Sequence, residues 1–303
     1  MQIAVFGLGR MGSQIARRLH KNNFDVLAWN RSEGPRTEVT KAGVRSFGEI
    51  STVIEQFSQS PRVFWLMLPQ GIVDEFLGVN QLGSFLQAGD IVIDGGNSFY
   101  KDSMRRAAEL GEKGIHFFDS GTSGGIWGEE NGFALMVGGP KDQWPAVEPI
   151  FKTLSSGENY GLLGKSGAGH FVKMVHNGIE YGMMEAIGEG YGVMQASEFN
   201  LDLGQVTKIY QQGSVVRSWL IDLTRNIFEH EDVESTSGVI AATGEGEWTV
   251  QAGMELGVDV RVIADSLQVR KESAEPANQH KFSNKIVALL RKQFGGHGII
   301  KNK

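Results

Sequence analysis

The feature that most constrains the fold is a glycine-rich turn near the start of the chain, Gly7-Leu8-Gly9-Arg10-Met11-Gly12. The apolar run at residues 2–6 predicts a buried strand before the turn, and the pattern predicts an amphipathic helix to about Asn22 and a second strand over Asp25–Asn30 after it. This order of elements holds a dinucleotide, because the backbone approaches the pyrophosphate closely and the helix N-terminus attracts phosphate. We therefore expect a dinucleotide-binding domain.

The end of the second predicted strand bears on which dinucleotide is bound. An acidic residue there would bind the ribose hydroxyls of NAD and repel a 2′-phosphate, but Asn30, Arg31 and Ser32 occupy the position. A guanidinium pairs with phosphate through two hydrogen bonds, so the pattern favours NADP. NAD is the alternative, because Glu33 is close and Arg31 would also stack on adenine. The predicted cofactor-binding residues are Gly7, Leu8, Gly9, Arg10, Met11, Gly12, Asn30, Arg31, Ser32, Leu68 and Asn97.

Strands and helices continue to alternate through the first half of the chain. Predicted strands at 90–94 and 116–119 lead into Gly95-Gly96-Asn97-Ser98 and into a glycine-rich loop, Ser120–Gly125. Ligands lie beyond the carboxyl ends of parallel strands, so both segments are candidate binding sites, although Ser98 would also cap the next helix. From Gly167 only helices are predicted. The expected fold is an α/β Rossmann-type dinucleotide-binding domain over residues 1–165, followed by an all-helical substrate and dimerisation domain over 166–303.

One predicted helix, from Gly167 to about Ala196, carries a polar stripe. Helical spacing puts five polar side chains on one face, namely Lys173, His176, Asn177, Glu180 and Tyr181. The apolar residues off that face are expected to pack the helix, namely Val172, Met174, Val175, Ile179 and Met183. An amine and a carboxylate about 10 Å apart along the axis would act on different atoms of one small substrate, and a solvated face is the alternative. The length of the helix also predicts a dimer interface.

Composition narrows the class of protein. The chain has a formal net charge of -6 and no basic run interleaved with aromatic residues, which argues against nucleic-acid binding. It contains no cysteine, which excludes disulfides and thiolate metal sites, and its histidines lack metal-ligand spacing, so no metal is expected. No basic leader and no run of about eighteen apolar residues is present, so we expect a cytoplasmic enzyme without a membrane anchor.

These motifs together resemble the 6-phosphogluconate dehydrogenases, the decarboxylating enzymes within the β-hydroxyacid dehydrogenases. The glycine turn and Asn30-Arg31-Ser32 resemble the wider superfamily. Asp94–Ser98, Ser123-Gly124-Gly125 and above all the block Gly167–Tyr181 resemble the sugar-phosphate enzymes. The resemblance covers most of the chain. Longer members carry extra helices before the C-terminal motif, so the chain resembles a short form.

The resemblance implies oxidation of 6-phosphogluconate at C3 and loss of its carboxylate, which gives ribulose 5-phosphate and CO₂ in the pentose phosphate pathway. Lys173 would be the general base and would then polarise the C3 carbonyl. Glu180 would protonate C1 of the enediol. No metal is implied, because a β-keto carboxylate already has an electron sink.

The resemblance also implies substrate contacts. The carboxylate and hydroxyls would be held by Asn97, Ser123, Gly124, Gly125, His176 and Asn177. The phosphate would be held by Tyr181, Thr249 and Arg270. Arg291 and His297 would complete the site of a neighbouring subunit, which predicts a homodimer or a larger homo-oligomer. Glu247 is a departure, because the family ordinarily has lysine there.

Two alternatives stay open. Another β-hydroxyacid dehydrogenase would act on a small unphosphorylated 3-hydroxy acid or semialdehyde, and Glu247 favours this interpretation. Arg270, Tyr181 and the tail argue against it, since a small substrate needs no distal cationic pocket. A non-catalytic dinucleotide-binding regulatory protein is the more remote alternative, and the Lys173 and Glu180 pair argues against it.

Overall fold

The computed structural model describes residues 1–240, 244–296 and 298–300. The chain divides into two compact units, Met1–Lys173 and Met174–Lys303. The first is an α/β unit and the second is helical, which confirms the predicted fold class. The units divide within a helix, whereas the predicted domain boundary follows residue 165. The first turn of that helix packs tightly on the sheet, since a Cβ on Gly169 would lie 2.4 Å from the carbonyl oxygen of Met136.

The first unit is built on one eight-stranded sheet, in the order β3-β2-β1-β4-β5-β6-β7-β8. All neighbouring strands are parallel except β6 and β7. The strands are β1 (Gln2–Phe6), β2 (Asp25–Trp29), β3 (Arg45–Phe47), β4 (Val63–Leu66), β5 (Ile91–Asp94), β6 (His116–Ser123), β7 (Ala134–Gly138) and β8 (Tyr160–Gly164). The helices are α1 (Arg10–Lys21), α2 (Glu33–Lys41), α3 (Ile50–Glu55), α4 (Gln70–Phe76), α5 (Tyr100–Gly111), α6 (Gly128–Asn131) and α7 (Trp144–Leu154).

Both faces of this sheet are buried. In β1, Ile3 and Val5 belong to one apolar cluster, whereas Ala4 and Phe6 belong to the other. Helices α1, α2 and α7 contribute to the first cluster, and α3, α4 and α5 to the second. Alternate side chains of a strand point to opposite faces, so helices on both sides require continuous apolar strands. This arrangement places the carboxyl ends of β1, β2, β4 and β5 at one edge.

The structure corrects the sequence prediction at β6. Residues 120–123 were expected to form a glycine-rich loop, but they continue the strand to Ser123. Antiparallel pairing with β7 extends from Asp119 opposite Gly138 to Ser123 opposite Ala134. These backbone hydrogen bonds satisfy the segment that a loop would leave to solvent. Only Gly124 and Gly125 of the expected loop lie beyond the strand.

The second unit packs helices around α8 and α13. Its helices are α8 (Ala168–Gln195), which begins in the first unit, α9 (Leu203–Tyr210), α10 (Trp219–His230), α11 (Glu245–Leu256), α12 (Arg261–Glu272) and α13 (Phe282–Gly295). Met184 and Tyr191 of α8 share a buried cluster with Ile227 of α10 and Leu289 of α13. Helix α13 buries every residue from Asn284 to Arg291, so it runs through the interior of the unit. Within the described ranges, no helix combines the length and apolar character that a bilayer span needs.

The packing of α8 differs from the sequence prediction. Met174 is buried, but Val172, Ile179 and Met183 are exposed, whereas the stripe residue Tyr181 is only 4% exposed. The prediction that these apolar residues pack the helix is therefore wrong for three of them. The physical reason is that α8 turns Tyr181 inward, against a buried arginine of α12. A dimer interface along α8 stays a prediction.

Candidate active site

The glycine turn after β1 has the geometry of a phosphate cradle. A Cβ on Gly12 would lie 1.9 Å from the carbonyl oxygen of Gly7, so no side chain fits there. Gly7 has a φ of +95°, which favours glycine. Helix α1 follows with Gly9 at its N-cap and no side-chain cap. A helix N-terminus of this kind attracts a pyrophosphate, so these residues fit a dinucleotide.

The end of β2 is tied to that turn by Asn30. Its Oδ1 accepts a hydrogen bond from the backbone N–H of Leu8 at 3.0 Å, and its Nδ2 donates to the carbonyl of Ser32 at 3.1 Å. Arg31 is exposed. Arg36 on α2 donates to the carbonyl of Asn30 at 3.0 Å, so a second guanidinium lies at this strand end. Arg36 is not among the residues predicted from the sequence, where only its spacing from Arg31 indicates it.

The turn after β5 is held by buried polar groups. Ser98 donates to the carboxylate of Asp94 at 2.8 Å, and the backbone N–H of Gly96 donates to the same carboxylate at 3.1 Å. Ser98 was also considered as a helix cap, but α5 begins at Tyr100 with Phe99 at its N-cap and no side-chain cap. Asn97 is exposed at the carboxyl end of the strand, where a ligand of this fold lies.

Lys173 is fixed by close packing of α8 on β6. A Cβ on Gly121 would lie 2.3 Å from the Cβ of Lys173, so the strand accepts only glycine at this crossing. The N-terminus of α8 is bound by Asp119, which accepts from the backbone N–H groups of Gly167 at 2.5 Å and of His170 at 2.8 Å. Burial raises the pKa of Asp119. The lysine thus projects from a helix whose start is anchored.

Ser103, His170 and Asp119 resemble a hydrolytic triad in composition only. The Oγ of Ser103 lies 2.7 Å from Nδ1 of His170. All three residues are at most 2% exposed, and both carboxylate oxygens of Asp119 accept hydrogen bonds from the backbone at the start of α8. A nucleophile needs access to its substrate, so this cluster joins α5, β6 and α8 and has a structural role.

The polar stripe continues in the second unit with a connected set of side chains. Nδ1 of His176 lies 2.9 Å from Oδ1 of Asn177 and 3.9 Å from Oε2 of Glu180. Nδ2 of Asn177 donates to Oε1 of Glu245 at 3.0 Å. Glu245 opens α11 and is 5% exposed. Glu245 is not predicted from the sequence, because no spacing rule links two residues so far apart in the chain.

Tyr181 and Arg270 form the centre of a buried cationic cluster, which we call the distal cluster. The guanidinium carbon of Arg270 lies 3.2 Å from the centroid of the Tyr181 ring. Among the described residues, Nε and Nη2 of Arg270 and the hydroxyl of Tyr181 are buried without a hydrogen-bond partner. Burial, with a smaller contribution from the charge of Arg291, lowers the pKa of Arg270 to about 10. Buried donors of this kind are costly unless a ligand satisfies them, and an anion suits them best.

Arg291 was expected to complete the site of a neighbouring subunit. In the structure it is buried in its own chain, where burial lowers its pKa and Tyr181 and Glu180 raise it. Helix α13 lies inside the unit and carries Arg291 toward the distal cluster. The role of this residue in a neighbouring subunit stays a prediction. His297 lies outside the described residues.

The hydroxyl of Thr249 contacts two backbone carbonyls of its own unit. Its hydroxyl lies 2.7 Å from the carbonyl oxygen of Met174 and 2.9 Å from that of Glu245, both of which accept. A hydroxyl has one hydrogen, which these two carbonyls compete to accept, and the contact of Thr249 with a phosphate stays a prediction. Its methyl group packs on α8, since a Cβ on Gly178 would lie 2.6 Å from it. Thr249 therefore holds two helices together.

Glu247, the departure from the family pattern, carries its own counter-ion. Its Oε1 lies 2.6 Å from Nζ of Lys271 on α12, and both side chains are about half exposed, at 55% and 51%. The pair is neutral as a unit. The substitution therefore adds little net negative charge near Arg270. In the part of the chain that the structure describes, no cluster of His, Asp and Glu side chains is suited to a metal ion.

Comparisons with known proteins point to one family over nearly the whole chain. Residues 2–164 match the family described as the NAD binding domain of 6-phosphogluconate dehydrogenase, and residues 169–297 match its C-terminal domain. The NAD(+)-dependent, decarboxylating 6-phosphogluconate dehydrogenase of Haloferax volcanii is 37% identical, with 99% of this chain and 98% of that protein covered. YqeC of Bacillus subtilis, which carries a provisional 6-phosphogluconate dehydrogenase name, is 40% identical, with 98% of each covered.

A solved structure is also similar. The 6-phosphogluconate dehydrogenase of Plasmodium falciparum, studied without ligand, with NADP+ and with 6-phosphogluconate, superimposes with a TM-score of 0.83 at 30% identity. The match covers 90% of this chain but only 62% of that one. A 3-hydroxyisobutyrate dehydrogenase of Mycobacterium tuberculosis has a TM-score of 0.74 at 19% identity, which shows a shared fold. The chain thus has the length of the short relatives.

Proposed function

The chain belongs to the 6-phosphogluconate dehydrogenase family and is an oxidoreductase with a domain that binds a nicotinamide dinucleotide, and on that premise we propose that it oxidises and decarboxylates 6-phosphogluconate. The observation that carries the proposal is the distal cluster. Arg270 and Tyr181 hold buried donors without partners among the described residues. A phosphate dianion would satisfy them, whereas a three- or four-carbon hydroxy acid brings no such group.

The proposed chemistry uses two side chains of one helix. Lys173, as a neutral amine, would take the proton of the C3 hydroxyl. The glycine turn from Gly7 to Gly12 would hold the dinucleotide, which would supply the hydride acceptor for that carbon. The resulting ammonium of Lys173 donates a hydrogen bond to the C3 carbonyl, which takes up the electron pair when the C1–C2 carboxylate bond breaks to release CO₂. Glu180 then delivers a proton to the carbon of the enediol that lost CO₂. Seven residues of helix separate the two groups, about 10 Å along the axis, so they reach different atoms.

His176 and Asn177 are proposed to bind substrate hydroxyls between those two groups. The amide of Asn177 is oriented by Glu245, because its Nδ2 donates to that carboxylate at 3.0 Å. Its oxygen lies toward His176, at 2.9 Å from Nδ1. We propose Asn97, Ser123, Gly124 and Gly125 as further contacts of the sugar acid, because they lie at or just beyond the carboxyl ends of β5 and β6.

We test the proposal by initial rates with 6-phosphogluconate, gluconate and 3-hydroxyisobutyrate, while released CO₂ is trapped. We expect reduced cofactor and CO₂ in equal amounts from 6-phosphogluconate alone. Gluconate should lose at least about a hundredfold in kcat/KM, because two hydrogen bonds to a dianion are absent. Oxidation of 3-hydroxyisobutyrate without CO₂ would instead establish the small-substrate alternative.

For the cofactor we propose a preference for NADP, because no carboxylate occupies residues 30–32 and two guanidiniums lie at the strand end. Arg31→Ala should lower kcat/KM for NADP by about tenfold and leave that for NAD nearly unchanged, since only NADP carries the 2′-phosphate. Steady-state rates with both cofactors measure this. Arg45→Ala is the control, because Arg45 is an exposed cation of β3 that pairs with Asp25. Equal losses for both cofactors would refute the preference.

Glu247 should have little effect on phosphate recognition. Because both members of the Glu247 and Lys271 pair are about half exposed, Glu247→Gln should change KM for 6-phosphogluconate by no more than about fivefold. The KM is measured at saturating cofactor, with Glu255→Gln on the same helix as the control. A gain of a hundredfold in substrate affinity would show that Glu247 repels the phosphate, and would favour an unphosphorylated natural substrate.

A further inference from the structure

Glu185 is a buried acid that the proposed chemistry does not use. It lies four residues after Tyr181 on α8, which places it on the same side of the helix one turn later. It is 5% exposed, and its Oε2 is buried without a hydrogen-bond partner among the described residues. Carboxylates are rarely buried without a partner, because removing the charge from water is costly.

The groups around Glu185 come from two helices. Arg270 on α12 lowers the pKa of Glu185, and Glu189 on α8 raises it. In turn, Tyr181 and Glu180 on α8 raise the pKa of Arg270, and Arg291 on α13 lowers it. Burial has the largest effect and raises the pKa of Glu185 to about 7. The Glu185 side chain of the ligand-free protein therefore changes charge near neutral pH.

Glu185 and Arg270 do not form an ion pair, although each acts on the pKa of the other. Both side chains keep buried polar atoms without partners in the described part of the chain. An ionised Glu185 would attract the guanidinium and repel any dianion placed against it, and low-dielectric surroundings strengthen both effects. A protonated Glu185 would do neither.

We propose that Glu185 is a positioning residue that couples anion binding at Arg270 to the uptake of one proton. As the neutral acid it leaves Arg270 to the phosphate of the substrate, and as the carboxylate it competes with that phosphate. The inference rests on the proposed function for the identity of the anion, but the coupling itself concerns any dianion in the distal cluster.

Linkage gives the size of the effect. If the anion binds only when Glu185 is neutral, the apparent Kd grows by a factor of 1 + 10^(pH − pKa). A group that titrates at about 7 then weakens binding about thirtyfold between pH 6 and pH 8.5. Phosphate itself titrates in this range, so we choose sulfate, which stays a dianion throughout.

The experiment measures the Kd of sulfate by calorimetry on the full chain from pH 6 to 8.5. We expect the thirtyfold loss in the natural protein and a nearly flat profile in Glu185→Gln, close to the pH 6 value. Glu189→Gln is the matched control on the same helix. It should keep the pH dependence of the sulfate Kd, with the midpoint at lower pH, because Glu189 raises the pKa of Glu185. A pH dependence in Glu185→Gln equal to that of the natural protein would overturn the proposal.

Two further measurements separate the effect of Glu185 from that of other ionisable groups and from loss of folding in the variant. His176 lies 3.9 Å from Glu180 and is also ionisable, so the slope that remains in Glu185→Gln measures the contribution of groups other than Glu185. If Glu185→Gln does not fold, calorimetry of the natural protein in two buffers at pH 7.5 still gives the proton count, for which we expect about 0.8 and which zero would contradict.

Arg270→Met should abolish sulfate binding, and unchanged binding in it would show that the anion binds elsewhere, which would also overturn the proposal. Coupled sulfate binding without turnover of 6-phosphogluconate would refute the proposed function and leave the coupling standing.

Discussion

Lys173→Met should reduce kcat for 6-phosphogluconate by about a thousandfold while the dinucleotide still binds. Methionine keeps the apolar stem that packs over Gly121, so α8 should stay in place. It removes the amine that takes the hydroxyl proton, and general-base catalysis is worth about 10² to 10⁴ in rate. Stopped-flow rates measure the loss, and fluorescence titration with reduced dinucleotide measures binding.

The matched control for this variant is Lys165→Met. Lys165 is an exposed lysine just before α8, and we expect its replacement to leave kcat unchanged. Equal residual activity in the Lys173 and Lys165 variants would show that another group is the base. Loss of dinucleotide binding together with turnover would indicate a structural role for Lys173.

Arg270→Met should lower kcat/KM for 6-phosphogluconate by at least about a hundredfold, mostly through KM. The variant removes buried guanidinium donors, and each hydrogen bond to a charged group is worth about 1.5–3 kcal/mol. The methionine side chain still covers the Tyr181 ring, and it removes a buried charge that pairs with no carboxylate in the described structure, which lowers a cost of folding. We therefore expect thermal unfolding to stay the same or to move upward.

Arg261→Met on the same helix is the control for Arg270, because its side chain is 79% exposed and pairs only with Asp259 in the described structure. Steady-state kinetics with 6-phosphogluconate and gluconate separate phosphate recognition from general damage. A variant that loses the same factor with both substrates would contradict the assignment. A loss confined to the phosphorylated substrate would support it.

Local constraints explain what the sequence could predict. The turn at Gly7 to Gly12 is recognisable because steric contact permits only glycine at its closest approach. The long helix is recognisable from its period, and both the first and the last residue of α8 lie within one residue of the expected positions. The family resemblance is confirmed over nearly the whole chain. The roles of the individual site residues stay predictions.

The remaining features depend on contacts between distant parts of the chain. Asn177 is oriented by Glu245, 68 residues away, and no pattern in either segment predicts this hydrogen bond. Thr249 has the residue type of a phosphate ligand, and nothing in its segment predicts that its hydroxyl lies beside two backbone carbonyls. The resemblance assigns a role to Arg291 from its residue type alone, whereas the burial of this side chain on α13 comes from the packing of the whole unit.

The continuity of α8 also limits how the length of this protein can vary. Lys173 and Glu180 share a face only while the helix between them keeps its 3.6-residue period without interruption. One inserted residue would rotate everything after it by about 100° and carry Glu180 and Tyr181 away from the lysine. The exposed segment from Glu198 to Asn200, just beyond the helix, faces no such restriction. Insertions and deletions should therefore accumulate after the helix and be absent between its two functional side chains.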